Sequence, residues 1–245
     1  MKARRIILVV VLISVVIFWL IFEYFIDLPI VTQNDVHYFL HSGATTRDIA
    51  RDLNQLTDLF HPLVFRLAAR IHHVDEHLQA GEYIFPRGSS IHNILTILSQ
   101  GKVVYYNFTL VDGWTFRQVM ASLNQSANIQ HLLTHLTEKQ IAEKLNLSQQ
   151  TPEGWLFPET YRYIRGDSDL HLLKQAHALM QEKLNIAWQT RAEGLWYRQP
   201  YQALIVASMI EKESAVLSEK PLIAAVILRR VKEWIPLQID ATVIY

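Results

Sequence analysis

The sequence predicts an α+β protein held behind a membrane anchor, and three observations carry that prediction. An apolar run at residues 6–22, with Ser14 its one polar member, follows a short basic tip. Two strand-like segments, within 81–86 and 103–110, alternate with helix patterns. Beyond about residue 114 helical spacing dominates as far as residue 234. The expected parts are a cytoplasmic tip and transmembrane anchor at 1–27, a small α/β subdomain at 28–106, and a mainly helical domain with some strands at 107–245.

Lys2, Arg4 and Arg5 precede the apolar run, and Tyr24, Phe25 and Ile26 follow Glu23. Seventeen residues, apolar but for Ser14, with an aromatic outer edge suffice to span a bilayer with little tilt. A cleaved signal peptide would be shorter and would end in small residues, whereas this run ends among Trp19, Phe22, Tyr24 and Phe25. The positive-inside rule puts residues 1–5 in the cytoplasm and everything after about residue 27 outside.

In the small subdomain Thr45 is placed to cap a helix, with Asp48 at its third position and Ile49, Leu53 and Leu56 on its inner face. Pro62 opens a second helix carrying Leu63, Val64, Leu67, Ala68 and Ile71. A short strand lies between Gly81 and Pro86, and a Ser-capped helix follows, lined by Ile91, Ile94, Leu95 and Leu98 and ended by Gly101. Residues 103–110 alternate as a strand, and Asp112-Gly113 turns the chain. Farther on, helical spacing groups Phe116, Val119, Met120 and Leu123, then Leu132, Leu133 and Leu136, then Ile141 and Leu145. Helices are also expected at 170–188, 201–217 and 221–234, the last opened by Ser218 and Pro221.

Half of the 245 residues are hydrophobic, enough for a sizeable core. The 23 basic and 23 acidic residues balance, which argues against a nucleic-acid binder relying on a basic surface. Without cysteine there is no disulfide, thiolate chemistry or Cys-ligated zinc. His37/His41, His73/His77 and His131/His135 are each spaced by four, but none has a third ligand or the intervening glutamate of a zinc helix, so no metal and no cofactor is assigned.

Two stretches hold candidate chemistry. On a helix over 201–217, Glu211 and Glu213 point to nearly opposite faces. Val206, Met209, Ile210, Val216 and Leu217 surround Glu213, while Leu204, Ala207, Ser208, Ala215 and Ser218 surround Glu211. A carboxyl against an apolar wall holds its proton at neutral pH, which a general acid requires, so Glu213 is the better candidate. The plainer alternative makes it a salt-bridged or solvent-facing residue where the helix meets the surface. The second stretch, residues 152–167, gathers Trp155, Phe157, Tyr161 and Tyr163 among Glu153 and Glu159, with Pro152 and Pro158 stiffening the backbone. Aromatic faces and carboxylates suit sugar binding, and the same aromatics also suit a core.

ASMIEKES at 207–214 with EGWLFPETY at 153–161 resembles the YceG-like family, the endolytic murein transglycosylases of bacterial inner membranes. AGEYIFPRGSSIHNILTILSQGKV at 80–103, FTLVDGWTFRQV at 108–119 and LQIDATVIY at 237–245 extend the resemblance from about residue 43 to the end. It implies a single-pass inner-membrane protein whose outer part has a LysM-like subdomain and then a catalytic domain. The activity implied is internal cleavage of peptidoglycan glycan strands between N-acetylmuramic acid and N-acetylglucosamine, without water, leaving an anhydro-muramyl end. The family's catalytic glutamate is the second of IEKE, which falls on Glu213. Glu153, Phe157, Glu159, Tyr161, Glu211, Gln238 and Asp240, all within the matching motifs, are the candidates for contacting sugar or tuning Glu213. Family members continue beyond the VIY of 243–245 with a segment that helps form the cleft, so the chain is expected to be cut short and inactive by itself. Functions of other classes are a non-catalytic, membrane-tethered peptidoglycan-binding module and an assembly partner of wall-synthesis enzymes.

The first test concerns the anchor. N-terminal sequencing of the mature protein is expected to find the apolar segment still attached; a mature N-terminus beyond about residue 20 would contradict it.

Overall fold

The computed structural model describes residues 2–58, 61–76, 78–148 and 150–239. Asp240 and the apolar run expected at Val243 and Ile244 lie outside the described residues, as does His77. The chain forms two compact units, Met1–Tyr105 and Tyr106–Tyr245, which share a mixed helix-and-strand character.

In the first unit the long helix α1 (Lys2–Asp27) leads into β1 (Val36–Leu40), α2 (Thr46–Leu56), α3 (Pro62–Ile71), β2 (Gly81–Phe85) and α4 (Ile91–Ser99). The local signals hold. Thr45 and Asp48 form a capping box at α2, Pro62 stands in the first turn of α3, and Ser90 caps α4 with Asn93. Each such box satisfies two N–H groups that a helix start otherwise leaves bare. β1 has no counterpart in the sequence reading. Its strand exists through antiparallel pairing with β2, Val36 opposite Phe85 and Leu40 opposite Gly81, which makes a β-α-α-β unit. Tyr38 stacks on Phe85 across the pair at 6.0 Å, and Phe65, Tyr83, Leu53 and Ile94 complete the core beneath. Burial of each large side chain there contributes about 1.5–3 kcal/mol.

α1 is long and apolar enough over Ile6–Asp27 to cross a membrane. Most of it is bare of protein, but Phe22 and Ile26 in its last two turns are buried, where α1 packs against α3 and α4.

The second unit contains β3 (Tyr105–Thr109), α5 (Phe116–Asn124), α6 (Glu138–Lys144), β4 (Thr160–Ile164), α7 (Asp169–Gln189), α8 (Pro200–Glu213) and α9 (Lys220–Lys232). β3 pairs with β4, and Phe108, Phe116, Leu123, Leu156, Tyr163 and Leu173 lie in one core. A smaller core of Val206, Ile227 and Ile239 joins α8 to α9.

Three helix expectations need correction. Leu132, Leu133 and Leu136 lie in an irregular segment, not a helix. That segment is held from a distance: Asp169, fully buried, accepts from Leu132 N (3.1 Å) and Leu133 N (3.1 Å). The helix expected to reach 217 stops at Glu213, because Ser214 is extended and its hydroxyl donates to Glu219 (2.6 Å) while accepting from Val216 N (3.0 Å). The next helix starts at Lys220 behind Glu219, so Ser218 is not its cap.

Asp169 satisfies three otherwise bare N–H groups, the third being Leu170 N at 2.7 Å. Asp169→Ala is expected to cost about 3 kcal/mol of unfolding free energy, and Asp169→Asn, which keeps an acceptor, distinctly less. Urea unfolding of the detergent-solubilised chain, followed by tryptophan fluorescence, measures both.

Candidate active site

In the second unit a cleft of about 450 Å³ opens between the 110–114 turn, the 152–158 loop and α8. Its lining includes Asp112, Gly113, Trp114, Glu153, Pro158, Tyr201, Ile205, Ser208, Glu211 and Lys212. Each wall has a local cause. Gly113 takes φ +72°, a conformation that L side chains avoid, and a Cβ there would sit 3.8 Å from Glu211 Cγ, so the turn lies directly against α8. The loop is tied at two points. Glu153 Oε2 accepts from Phe116 N (2.7 Å), which caps α5, and the Trp155 ring stacks on Tyr201 of α8 at 5.3 Å and 2°. His177 of α7 sits edge-on to Trp155, its Nδ1 3.1 Å from the Trp155 carbonyl.

The structure brings some predicted site residues together and separates others. Glu153 and Glu211 both line the cleft, yet both are engaged, Glu153 by α5 and Glu211 by the Lys220 ammonium of α9. Tyr161 is a core residue whose hydroxyl donates to the Phe157 carbonyl (2.6 Å). Phe157 is half-buried, with its backbone N–H on the Ala176 carbonyl (3.1 Å). Glu159 is exposed and accepts from Thr160 N (2.9 Å). Gln238 is exposed, with φ +52°.

Glu213 occupies the last residue of α8 and is exposed, with no hydrogen-bond or ion-pair partner among the described residues. The apolar wall expected around it is not built. Since the helix ends there, Val216 and Leu217 turn away and are themselves exposed. α8 as a whole is less buried than its composition suggests, Val206 being its one buried residue among those described. Lys212, Lys220 and Gly113 escaped the sequence reading. The Asp112-Gly113 turn was legible, but its contact with α8 is not a local property.

Among the described residues no group of three or more His, Cys, Asp or Glu side chains is placed to hold a metal. His37 is instead 3.1 Å from Glu82.

Comparisons with known proteins agree on one family. The model of the YceG-like family matches residues 39–245. An endolytic murein transglycosylase of Streptococcus pneumoniae is 24% identical over 232 residues, covering 83% of this chain and 41% of that protein. The endolytic murein transglycosylase of Bacillus subtilis is 25% identical over 189 residues, covering 68% and 51%. The chain thus spans about half or less of the length of these relatives. A YceG-like protein of Listeria monocytogenes, known from its crystal structure, aligns with a TM-score of 0.42 and 17% identity, over 87% of this chain and 75% of that one.

Burial pushes the Tyr161 hydroxyl up to about 12 from its ordinary 10, and the Glu159 carboxylate adds to the shift. The folded-state value lies above the unfolded one, so the neutral phenol stabilises the fold. That contribution is complete below pH 10 and is lost as pH rises from 10 to about 12. Tyr161→Phe, which cannot ionise, is expected to lose less stability across this window than the parent protein does. Unfolding curves at successive alkaline pH values read the difference, and parallel profiles would contradict it.

Proposed function

Because the chain belongs to the YceG-like family, we propose that it is a membrane-anchored lytic transglycosylase cleaving peptidoglycan glycan strands internally. The observation that carries this reading is that residues of both family-like motifs, Glu153, Leu156 and Pro158 of the first and Ala207, Ser208, Glu211 and Lys212 of the second, line one cleft, with Glu213 following on the same helix outside the lining. The curated relatives named endolytic murein transglycosylase support the same reaction class. In this reading α1 crosses the inner membrane, residues 1–5 are cytoplasmic, and both outer units face the wall that is being built. The β-α-α-β unit is LysM-like and contributes glycan affinity rather than chemistry.

Glu213 acts as general acid and then base. Its carboxyl protonates the glycosidic oxygen as the bond to the muramic acid anomeric carbon breaks through an oxocarbenium-like state. The resulting carboxylate removes the proton of the C6 hydroxyl, whose oxygen closes onto that carbon and forms the anhydro ring. No second nucleophilic carboxylate is needed where the substrate's N-acetyl group assists. Two features of α8 favour this division of labour. Glu213 has no partner among the described residues, whereas Glu211 is held by Lys220 and lies beside Lys212, which suits it to shaping the cleft. Glu153, through α5, and the Trp155–Tyr201 stack keep the loop in place. Gln238 and Asp240 are candidates for sugar contact at the far end of the motif set.

A second reading draws on the exposure of Glu213 and the missing apolar wall. In it the chain grips glycan without cleaving it and serves wall-synthesis enzymes as a tethered partner.

Digestion of purified sacculi by the full chain separates the two. The transglycosylase reading expects anhydro-muramyl products, and expects Glu213→Gln to lower their release by about a hundredfold or more while folding hardly changes. Sacculus binding without any such product would count against the transglycosylase reading of this chain. Normal release by Glu213→Gln with loss in Glu211→Gln would move the acid to Glu211.

A further inference from the structure

Among the described residues nothing covers the outward face of α3. Leu63, Leu67 and Ile71, spaced by four and so on one face, are 59%, 45% and 38% exposed. The opposite face, Phe65, Ala68 and Ala69, is buried. Arg66 and Arg70 flank the apolar stripe, and α3 contains no acidic residue. A helix apolar on one side with arginines at the margin is built to lie in a lipid interface, where the guanidinium groups reach up to anionic headgroups.

The position of α3 along the anchor says what covers the stripe. At about 1.5 Å per residue, the apolar run from residue 6 needs to extend into the 24–26 turn to match a hydrocarbon core of about 30 Å. Tyr24 and Phe25 are exposed at that level, as interfacial aromatics are. Phe22 and Ile26, in those same last two turns, are buried where α1 packs against α3 and α4. α3 is therefore carried at the depth of the outer headgroups, within a helix diameter of the point where α1 leaves the bilayer.

From this we infer that α3 docks on the outer leaflet of the membrane that α1 spans, with Leu63, Leu67 and Ile71 in the acyl boundary and Arg66 and Arg70 on anionic phosphates. The β-α-α-β unit is then held flat on the bilayer instead of swinging on its anchor. The proposal rests on the anchor reading of α1 and is independent of the chemistry assigned to α8.

The chain has no cysteine, so single spin labels can be placed without background. The full chain is reconstituted in vesicles of phosphatidylethanolamine and phosphatidylglycerol, with labels in turn at Leu12→Cys, Leu67→Cys and the exposed Lys174→Cys. Collision with oxygen, which concentrates in lipid, is compared with collision with a water-soluble nickel chelate. The expected oxygen-to-nickel ratio at Leu67 is several-fold above that at Lys174 and approaches that at Leu12. Replacing phosphatidylglycerol by phosphatidylcholine, or combining Arg66→Gln with Arg70→Gln, is expected to lower it toward the Lys174 value. A ratio at Leu67 equal to that at Lys174, with Leu12 in lipid, overturns the docking and leaves the anchor standing. A water-exposed label at Leu12 overturns both. Shielding of Leu67 from both reagents with spin–spin broadening means that a second copy covers the stripe, and also overturns the proposal.

Discussion

The candidate site depends on how one loop is tied. Glu153 gives its carboxylate to the first turn of α5 through Phe116 N, and two residues later Trp155 lays its ring on Tyr201 of α8. A charged acceptor at a helix N-terminus gains from both the bare N–H group and the helix dipole. An offset aromatic pair adds about 0.5–1.5 kcal/mol beyond its buried area. Together these contacts hold the loop between two helices that are far apart in sequence. The cleft is the space that they leave open.

That arrangement changes the meaning of the acidic residues. Carboxylates in a motif rich in aromatics invite a sugar-binding reading, yet Glu153 is spent on a helix cap and Tyr161 on the core, both tasks that fix geometry. On α8 the two glutamates are likewise divided. Glu211 faces the cleft and is paired with Lys220, while Glu213 at the helix end has no partner among the described residues. In the proposed mechanism the carboxyl of Glu213 moves the proton and the paired one holds shape.

The first unit couples its long apolar helix to its fold in a similar way. Phe22 and Ile26 belong by composition to the apolar run of α1, but their side chains are buried in protein. α1 is thus continuous with the core of the β-α-α-β unit, not joined to it by a free linker. Tyr38, Tyr83 and Phe85 then stack across the two-stranded sheet, giving a small unit a core that two strands alone could not supply.

Local chemistry was readable without coordinates. The apolar run of α1, the capping boxes at Thr45 and Ser90, the proline start of α3 and the long stretch of α7 depend on residues within a few positions of one another, so the sequence by itself determined them. The motifs that name the family were legible for the same reason. Tertiary structure decided the rest. β1 carries apolar residues on both faces, and only β2, some forty positions away, makes it a strand. The leucines at 132–136 are spaced as a helix, but Asp169 claims the backbone N–H groups of Leu132 and Leu133. α8 stops at Glu213 because Ser214 finds Glu219 across a turn, which removes the apolar wall that helical spacing promised. In each case a hydrogen bond that the spacing does not announce outweighs a periodicity, between distant residues for β1 and Asp169 and across one turn for Ser214. Periodicity states only which face a side chain would take, whereas the partner on that face is set when the chain closes on itself.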